Sequence, residues 1–150
     1  MHAEKTNVIK VSVEKAKSED LPIVIQIFKQ HSDLFKQYGI RMGVNCDNTY
    51  VARNESLGVV GAVMTKKDFP KYPGFGQPQA ELKTAGVESS LQGRGIGRQM
   101  ISQVIEELKK EGFHKITVQF DSKKANVWHL FESMGFKGEK NDWVLMKLNV

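Results

Sequence analysis

Gln92, Arg94, Gly95, Gly97 and Arg98 are the residues of this 150-residue chain whose types and spacing point most directly to chemistry. They lie in the turn Gln92-Gly93-Arg94-Gly95-Ile96-Gly97, after a strand-like run from Leu82 to Val87. A helical pattern follows, with Ile101, Val104, Ile105 and Leu108 at i, i+3, i+4, i+7. Gly112 then offers a left-handed helix stop. A strand handing over to a helix N-terminus is an anion site. The first backbone N–H groups have no intrahelical acceptor, and the macrodipole adds roughly half a positive charge. Glycines let a phosphate approach the backbone closely, and Arg94 and Arg98 add full charges. The alternative is a glycine-rich loop with no ligand, but three glycines and two arginines at a helix start have no evident packing purpose. Two phosphate motifs are excluded. No Gly-Lys-Ser/Thr completes a P-loop, and after Gly93 and Gly95 the third glycine of G-x-G-x-x-G is replaced by Arg98.

The pattern present is Q-x-x-G-x-G, as Gln92, Gly95 and Gly97. It resembles the pyrophosphate-binding turn of the GCN5-related N-acetyltransferases (GNAT), which hold acetyl-coenzyme A (acetyl-CoA). The run His129-Leu130-Phe131-Glu132-Ser133-Met134-Gly135-Phe136 is similar to that family's helix ending in Tyr-Glu-x-x-Gly-Phe.

The elements that must position the turn also read in the family's order. Residues 8–14 alternate, with Ile9, Val11 and Val13 on one side, as a half-buried strand does. Ser18-Glu19-Asp20 caps a helix carrying Leu21, Val24, Ile25 and Phe28 to about Gln30. Asp33 to Tyr38 suggests a second short helix. Strands follow at about Thr49–Arg53 and Val59–Lys66, joined by the hairpin turn Asn54-Glu55-Ser56. Lys67 to Gln79 holds three of the four prolines together with Phe69, Tyr72 and Phe75, and reads as a long semi-rigid loop. It either borders a functional site or is a surface excursion stapled down by its aromatics. Ile116–Phe120 reads as a strand. Val127, Leu130, Phe131 and Met134 mark another helix, closed by Gly135, and short strands near Phe136 and over Trp143–Leu148 end the chain. The resemblance implies an α/β (α+β) acyl-CoA N-acyltransferase fold over residues 1–150, with its core at about 8–148. Its mixed, mostly antiparallel sheet is flanked by about four helices and splays between the fourth and fifth strands, here Glu81–Val87 and Ile116–Phe120. The pantetheine arm enters that split.

Composition sets outer bounds. Hydrophobic content of 40% and charged content of 26% are ordinary for one globular domain. No apolar run is long enough to span a membrane, and the N-terminal residues lack a secretory h-region. The single cysteine, Cys46, cannot form an internal disulfide, which fits a reducing cytosol and hence a cytoplasmic setting. A net charge of +5 suits a polyanion such as CoA, or nucleic acid. The lysines are scattered, however, and neither a zinc spacing nor an RNP-like aromatic run is present, which argues against nucleic acid.

The resemblance implies transfer of acetyl from acetyl-CoA to a primary amine. Backbone groups near Val87 would pair with the pantetheine arm, and one N–H would polarise the thioester carbonyl. The turn residues Gln92, Gly93, Arg94, Gly95, Ile96, Gly97 and Arg98 would hold the pyrophosphate, with Asn126 as a further coenzyme contact or helix cap. A lysine-type amine has a pKa near 10.4, so ionisation at pH 7 opposes attack by about 4.6 kcal/mol. A general base offsets part of that cost. Glu81, on the strand fourteen residues ahead of Gly95, is the candidate, since the protein-lysine-acetylating branch of the family places its base there. The structural alternative is a solvated strand glutamate. Glu88, an odd seven positions on, would face the other side of a regular strand. Phe131 stands where many family members place a tyrosine that protonates the leaving sulfur, so that role lacks a donor. His129, two residues away, points roughly 200° around the helix, and it and Trp128 are expected toward solvent or a partner.

Without an activated serine or cysteine, direct transfer in a ternary complex is expected. A catalytically silent CoA-binding module and a small basic nucleic-acid-binding domain are the alternatives. The acceptor, whether metabolite, antibiotic or peptide amine, stays open, as do the size of the acyl group and the assembly state, homodimer included.

Overall fold

A computed structural model describes residues 7–31, 44–72, 74, 76–121, 125–140 and 143–150. In chain order the elements are β1 (Ser12–Lys15), α1 (Leu21–His31), β2 (Thr49–Asn54), β3 (Gly58–Asp68), β4 (Gln79–Val87), α2 (Ile96–Lys110), β5 (Lys115–Asp121), α3 (Ala125–Ser133), β6 (Lys137–Lys140) and β7 (Trp143–Asn149). Single 3-10 turns, Ser18–Asp20 and Ser89–Leu91, precede α1 and α2. The strands form one sheet in the order β1-β2-β3-β4-β5-β7-β6. Only β4 and β5 run parallel among the pairs whose registers are given, from Gln79↔Lys115 to Leu82↔Val118. The last five residues of β4, Lys83–Val87, lie past the end of that ladder. The element order matches the sequence reading. Three α-helices stand among the described residues, against about four expected; the helix anticipated at Asp33–Tyr38 falls outside them. None of the described helices is long and apolar enough to cross a membrane.

Tertiary contacts divide the chain into two compact units, residues 1–64 with 84–104 and residues 65–83 with 105–150. In the first, β2 and β3 form the expected hairpin. The Asn54 carboxamide oxygen accepts from the Ser56 and Leu57 N–H groups at 2.9 and 3.0 Å, which closes the turn. Val24 and Phe28 of α1 pack with Ala16, Val51, Ala62 and Met64 in a buried cluster. α2 sits close on β3 at Gly61, where a Cβ would fall 2.8 Å from Met100 Sδ and 3.1 Å from the Gly86 carbonyl oxygen.

The N-terminal strand differs from expectation. The alternation of Ile9, Val11 and Val13 is present, but β1 begins only at Ser12. The backbone before it is claimed by side chains of α2. Gln99 donates to the Ile9 carbonyl at 2.8 Å and accepts from Val11 N–H at 3.1 Å. One turn on, Gln103 donates to the Val11 carbonyl and accepts from Val13 N–H, both at 3.0 Å. Two glutamine amides thus take the place of a neighbouring strand. Ahead of α1, Asp20 closes the Ser18–Asp20 turn, its carboxylate accepting from Lys17 N–H at 2.9 Å.

In the second unit β5 and β7 pair along seven residues and β6 closes a hairpin on β7. Ile116, Val118, Phe120 and Met146 are buried on one face, with Phe131 and Phe136 also buried. Phe131 lies 6.1 Å from Phe120, stacked, and 5.0 Å from Phe136, edge-on. The helix stops at Gly112 and Gly135 form as expected, with Phe113 N–H returning to the Leu108 carbonyl and Phe136 N–H to the Phe131 carbonyl, both at 3.0 Å. The other face of this half-sheet carries Lys115, Thr117, Gln119, Leu145 and Lys147, none of them buried.

Candidate active site

The glycine turn belongs to the first unit. β4 ends at Val87, and Glu88 N–H donates to the Val60 carbonyl at 2.8 Å. Glu88 is therefore not a strand residue facing away from Glu81. Its carboxylate caps the following 3-10 turn, accepting from Ser90 N–H at 2.9 Å and from Gln30 Nε2 at 3.0 Å. The chain then turns through Gln92 and Gly93, both exposed, to Gly95, and α2 starts at Ile96. Ile96 is buried at 2% exposure and anchors the helix start. Ile96 and Gly97 put the first N–H groups of the helix ahead of its i to i−4 ladder, and Gln99 N–H reaches back to Gly95 O at 3.4 Å.

The glycines differ in what they do. Gly95 has φ +80°, a conformation that L side chains rarely adopt, and its missing Cβ would lie 3.2 Å from Val8. Gly97 has a helical backbone, and a Cβ there would meet only Val87 Cγ2, at 4.0 Å. The fold does not need a glycine at 97, and what its absent side chain leaves is room beside the helix start. The arginines also differ. Arg94 Nε donates to the Asn7 carbonyl at 2.8 Å, and Ile9 N–H donates to the Arg94 carbonyl at 3.0 Å, so the turn is stapled to the N-terminal segment. Arg98 is exposed in the first turn of α2.

Glu81 belongs to the second unit. With Asp68, Gln79, Ala80, Lys115, Thr117, Gln119, Leu145 and Lys147 it lines a cavity of about 280 Å³. Its side chain is 22% exposed, and Lys83 Nζ stands 3.8 Å from Oε2. Burial alternates at the start of β4, with Ala80 and Leu82 inside, so Glu81 lies on the polar face. The two ends of the Pro-rich loop, Asp68 and Gln79, both line this cavity. The loop's Phe69 ring lies 5.0 Å from Phe113, yet Phe69 and Tyr72 are both largely exposed.

Asn126 falls in the first turn of α3, which starts at Ala125. His129 is exposed, as expected, with Nδ1 3.9 Å from Glu132. Trp128 is not exposed: it is half-buried and lines a second cavity, of about 330 Å³, with Glu132, Gly135, Phe136, Lys137 and Gly138. The sequence reading missed the roles of Gln99 and Gln103, although two glutamines one turn apart beside an apolar stripe are a visible signal. It also missed Lys115, Thr117 and Lys147, which only strand register brings beside Glu81.

Residues 14–136 match the acetyltransferase (GNAT) family, and the chain belongs to that family. Among its relatives, a mycothiol acetyltransferase from Propionibacterium freudenreichii subsp. shermanii is 28% identical over 92 residues, covering 61% of this chain and 28% of the relative. The L-amino acid N-acyltransferase MnaT of Escherichia coli K12 is 29% identical over 83 residues, covering 55% of this chain and 47% of the relative. The chain thus spans about a quarter to a half of the length of these relatives. The structure of the yncA acetyltransferase from Salmonella typhimurium with its cofactor acetyl-CoA shares the fold at a TM-score of 0.69 and 21% identity, covering 93% of each chain.

Proposed function

We propose that this protein transfers acetyl from acetyl-CoA to a primary amine, directly and in a ternary complex. The observation that carries the reading is the helix start at Ile96, where backbone N–H groups, Arg98 and the unneeded glycine at 97 leave a site for the CoA pyrophosphate. Gln92, Gly93, Arg94 and Gly95 shape the turn, Val87 offers its backbone to the pantetheine arm, and Asn126 sits in a helix first turn that suits a coenzyme contact. In the reaction the amine nitrogen attacks the thioester carbonyl. The C–N bond forms, the C–S bond breaks, the amine loses a proton and the thiolate gains one. Glu81 takes the amine proton, directly or through water; its place in an open cavity supports that role. Membership of the family and the likeness to MnaT support an amine acceptor. Cys46 is half-buried and not in a disulfide, which suits a cytosolic setting.

The test of the donor site uses thermal unfolding with acetyl-CoA at about a hundredfold over its Kd, which should stabilise the fold by roughly 2.7 kcal/mol. Gly97→Glu has room to fold and sets a like charge against the pyrophosphate, so it should erase the shift. A stabilisation that persists in this variant would remove the turn from the site. A silent CoA-binding module is the second reading, favoured by Phe131 at the position of the tyrosine acid. Release of free CoA that depends on added amine separates the two.

A further inference from the structure

Resting on the acetyltransferase reading, we propose that the Glu81 cavity takes a small zwitterion with its ammonium and carboxylate one carbon apart, a free α-amino acid. Strand register sets the arrangement. Glu81 pairs with Thr117, and Thr117 with Lys147, so acid, hydroxyl and ammonium stand in one row across β4, β5 and β7. The next row is Gln79, Lys115 and Asn149. Paired across the strands, all six share one face of the sheet, and none is buried. Two strand spacings put the Glu81 and Lys147 Cα atoms roughly 10 Å apart, a span that a glutamate and a lysine reaching inward can close on one small molecule.

The charges are segregated. The carboxylates of Asp68 and Glu81 come from β3 and β4, the ammonium groups of Lys115 and Lys147 from β5 and β7. Lys83, 3.8 Å from Glu81, is the exception on the negative side. Two acids and two bases in the lining give a cavity neutral as a whole but polarised, which suits a ligand that is likewise neutral and polarised. An ammonium at Glu81 leaves the attached carboxylate facing Thr117, Lys147 and Lys115. A volume of about 280 Å³ lies just below the usual range for drug-sized ligands, which favours a metabolite. Leu145, 40% exposed at the lining, offers apolar contact to a short side chain.

The experiment compares an α-amino acid with its methyl ester and its decarboxylated amine, reading free CoA, and in parallel measures the thermal shift each ligand gives without acetyl-CoA. Across a panel of side chains, the best free amino acid should exceed its ester and its amine in kcat/KM by about tenfold or more, the worth of a charge-assisted hydrogen bond. Lys147→Gln should collapse that ratio through KM for the amino acid, and Lys147→Arg should restore it. Equal kcat/KM for acid, ester and amine across the panel, or preference for a peptide amine, overturns the inference while leaving the acetyltransferase standing. A thermal shift specific to the amino acid and lost in Lys147→Gln, without any transfer, upholds the ligand class and sinks the acetyltransferase. Neither shift nor transfer overturns both.

Discussion

Phe131 is where the chain departs most clearly from its family. Its ring is 5% exposed and packed between Phe120 and Phe136. A hydroxyl added there would enter an aromatic core, so Phe131→Tyr should cost about 1–3 kcal/mol in chemical denaturation and leave kcat unchanged. A rise in kcat that faded above the phenol pKa near 10 would instead put this ring at the sulfur. A thiolate with an ordinary pKa near 8.5 already leaves tolerably well at neutral pH, so a missing acid does not by itself imply inactivity. Glu81 is the opposite case, polar, reachable and in a cavity. Glu81→Gln keeps the shape and removes the base. The rate should fall about 10²-fold or more, with partial recovery at high pH as the free amine accumulates. An unaltered pH–rate profile would assign the proton elsewhere.

The element that carries most of the argument is α2, through its start and through one polar row. At the start, Gly95 and Gly97 should respond with opposite signs. Gly95→Ala places a side chain at φ +80° beside Val8 and should cost about 1–2 kcal/mol. Gly97→Ala, with helical backbone and room, should stabilise by up to about 1 kcal/mol. Thermal unfolding of the two variants decides this. Along the polar row, Gln99 and Gln103 satisfy the N–H and C=O groups on one edge of the backbone from Ile9 to Val13. They occupy the edge of β1 that would otherwise invite another strand. Gln99→Leu should strand the Val11 N–H and Ile9 carbonyl, costing about 1–3 kcal/mol, and hydrogen exchange at Val11 should quicken.

At the scale of the whole molecule, one ion cluster ties stability to pH. Arg53 Nη2 donates to the buried Asp20 at 2.9 Å and its Nε to Glu14 at 2.8 Å. Burial pushes the Asp20 carboxyl up, but hydrogen bonds from Lys17 N–H and Arg53, with the charges of both residues, outweigh it and leave its pKa below the ordinary 3.8. A depressed folded pKa means that the stabilisation is present above the unfolded value near 3.9 and is lost as pH falls through the folded one. Stability should therefore drop below about pH 4, and Asp20→Asn should flatten that part of the profile. Urea midpoints between pH 2 and 6 would show it.

The sequence alone determined the element order, the turn from Gln92 to Gly97 and the apolar stripes of the helices, because each rests on local rules: period, caps and glycine stops. Adjacent residues carried enough information to place a strand–turn–helix and to indicate the family. Tertiary structure decided what depends on pairing across the chain. That Gly95 is required by its backbone and Gly97 by nothing in the fold follows from φ and from neighbours such as Val8 and Val87. That Glu88 caps a turn, Phe131 is core and the edge of β1 is held by glutamine amides follows from contacts between residues far apart in sequence. The row from Glu81 through Thr117 to Lys147 exists only because strand register aligns them. A slip of one residue would send those side chains to the opposite face; the alternation within each strand sets the face, and only pairing across the sheet sets which residues share a row.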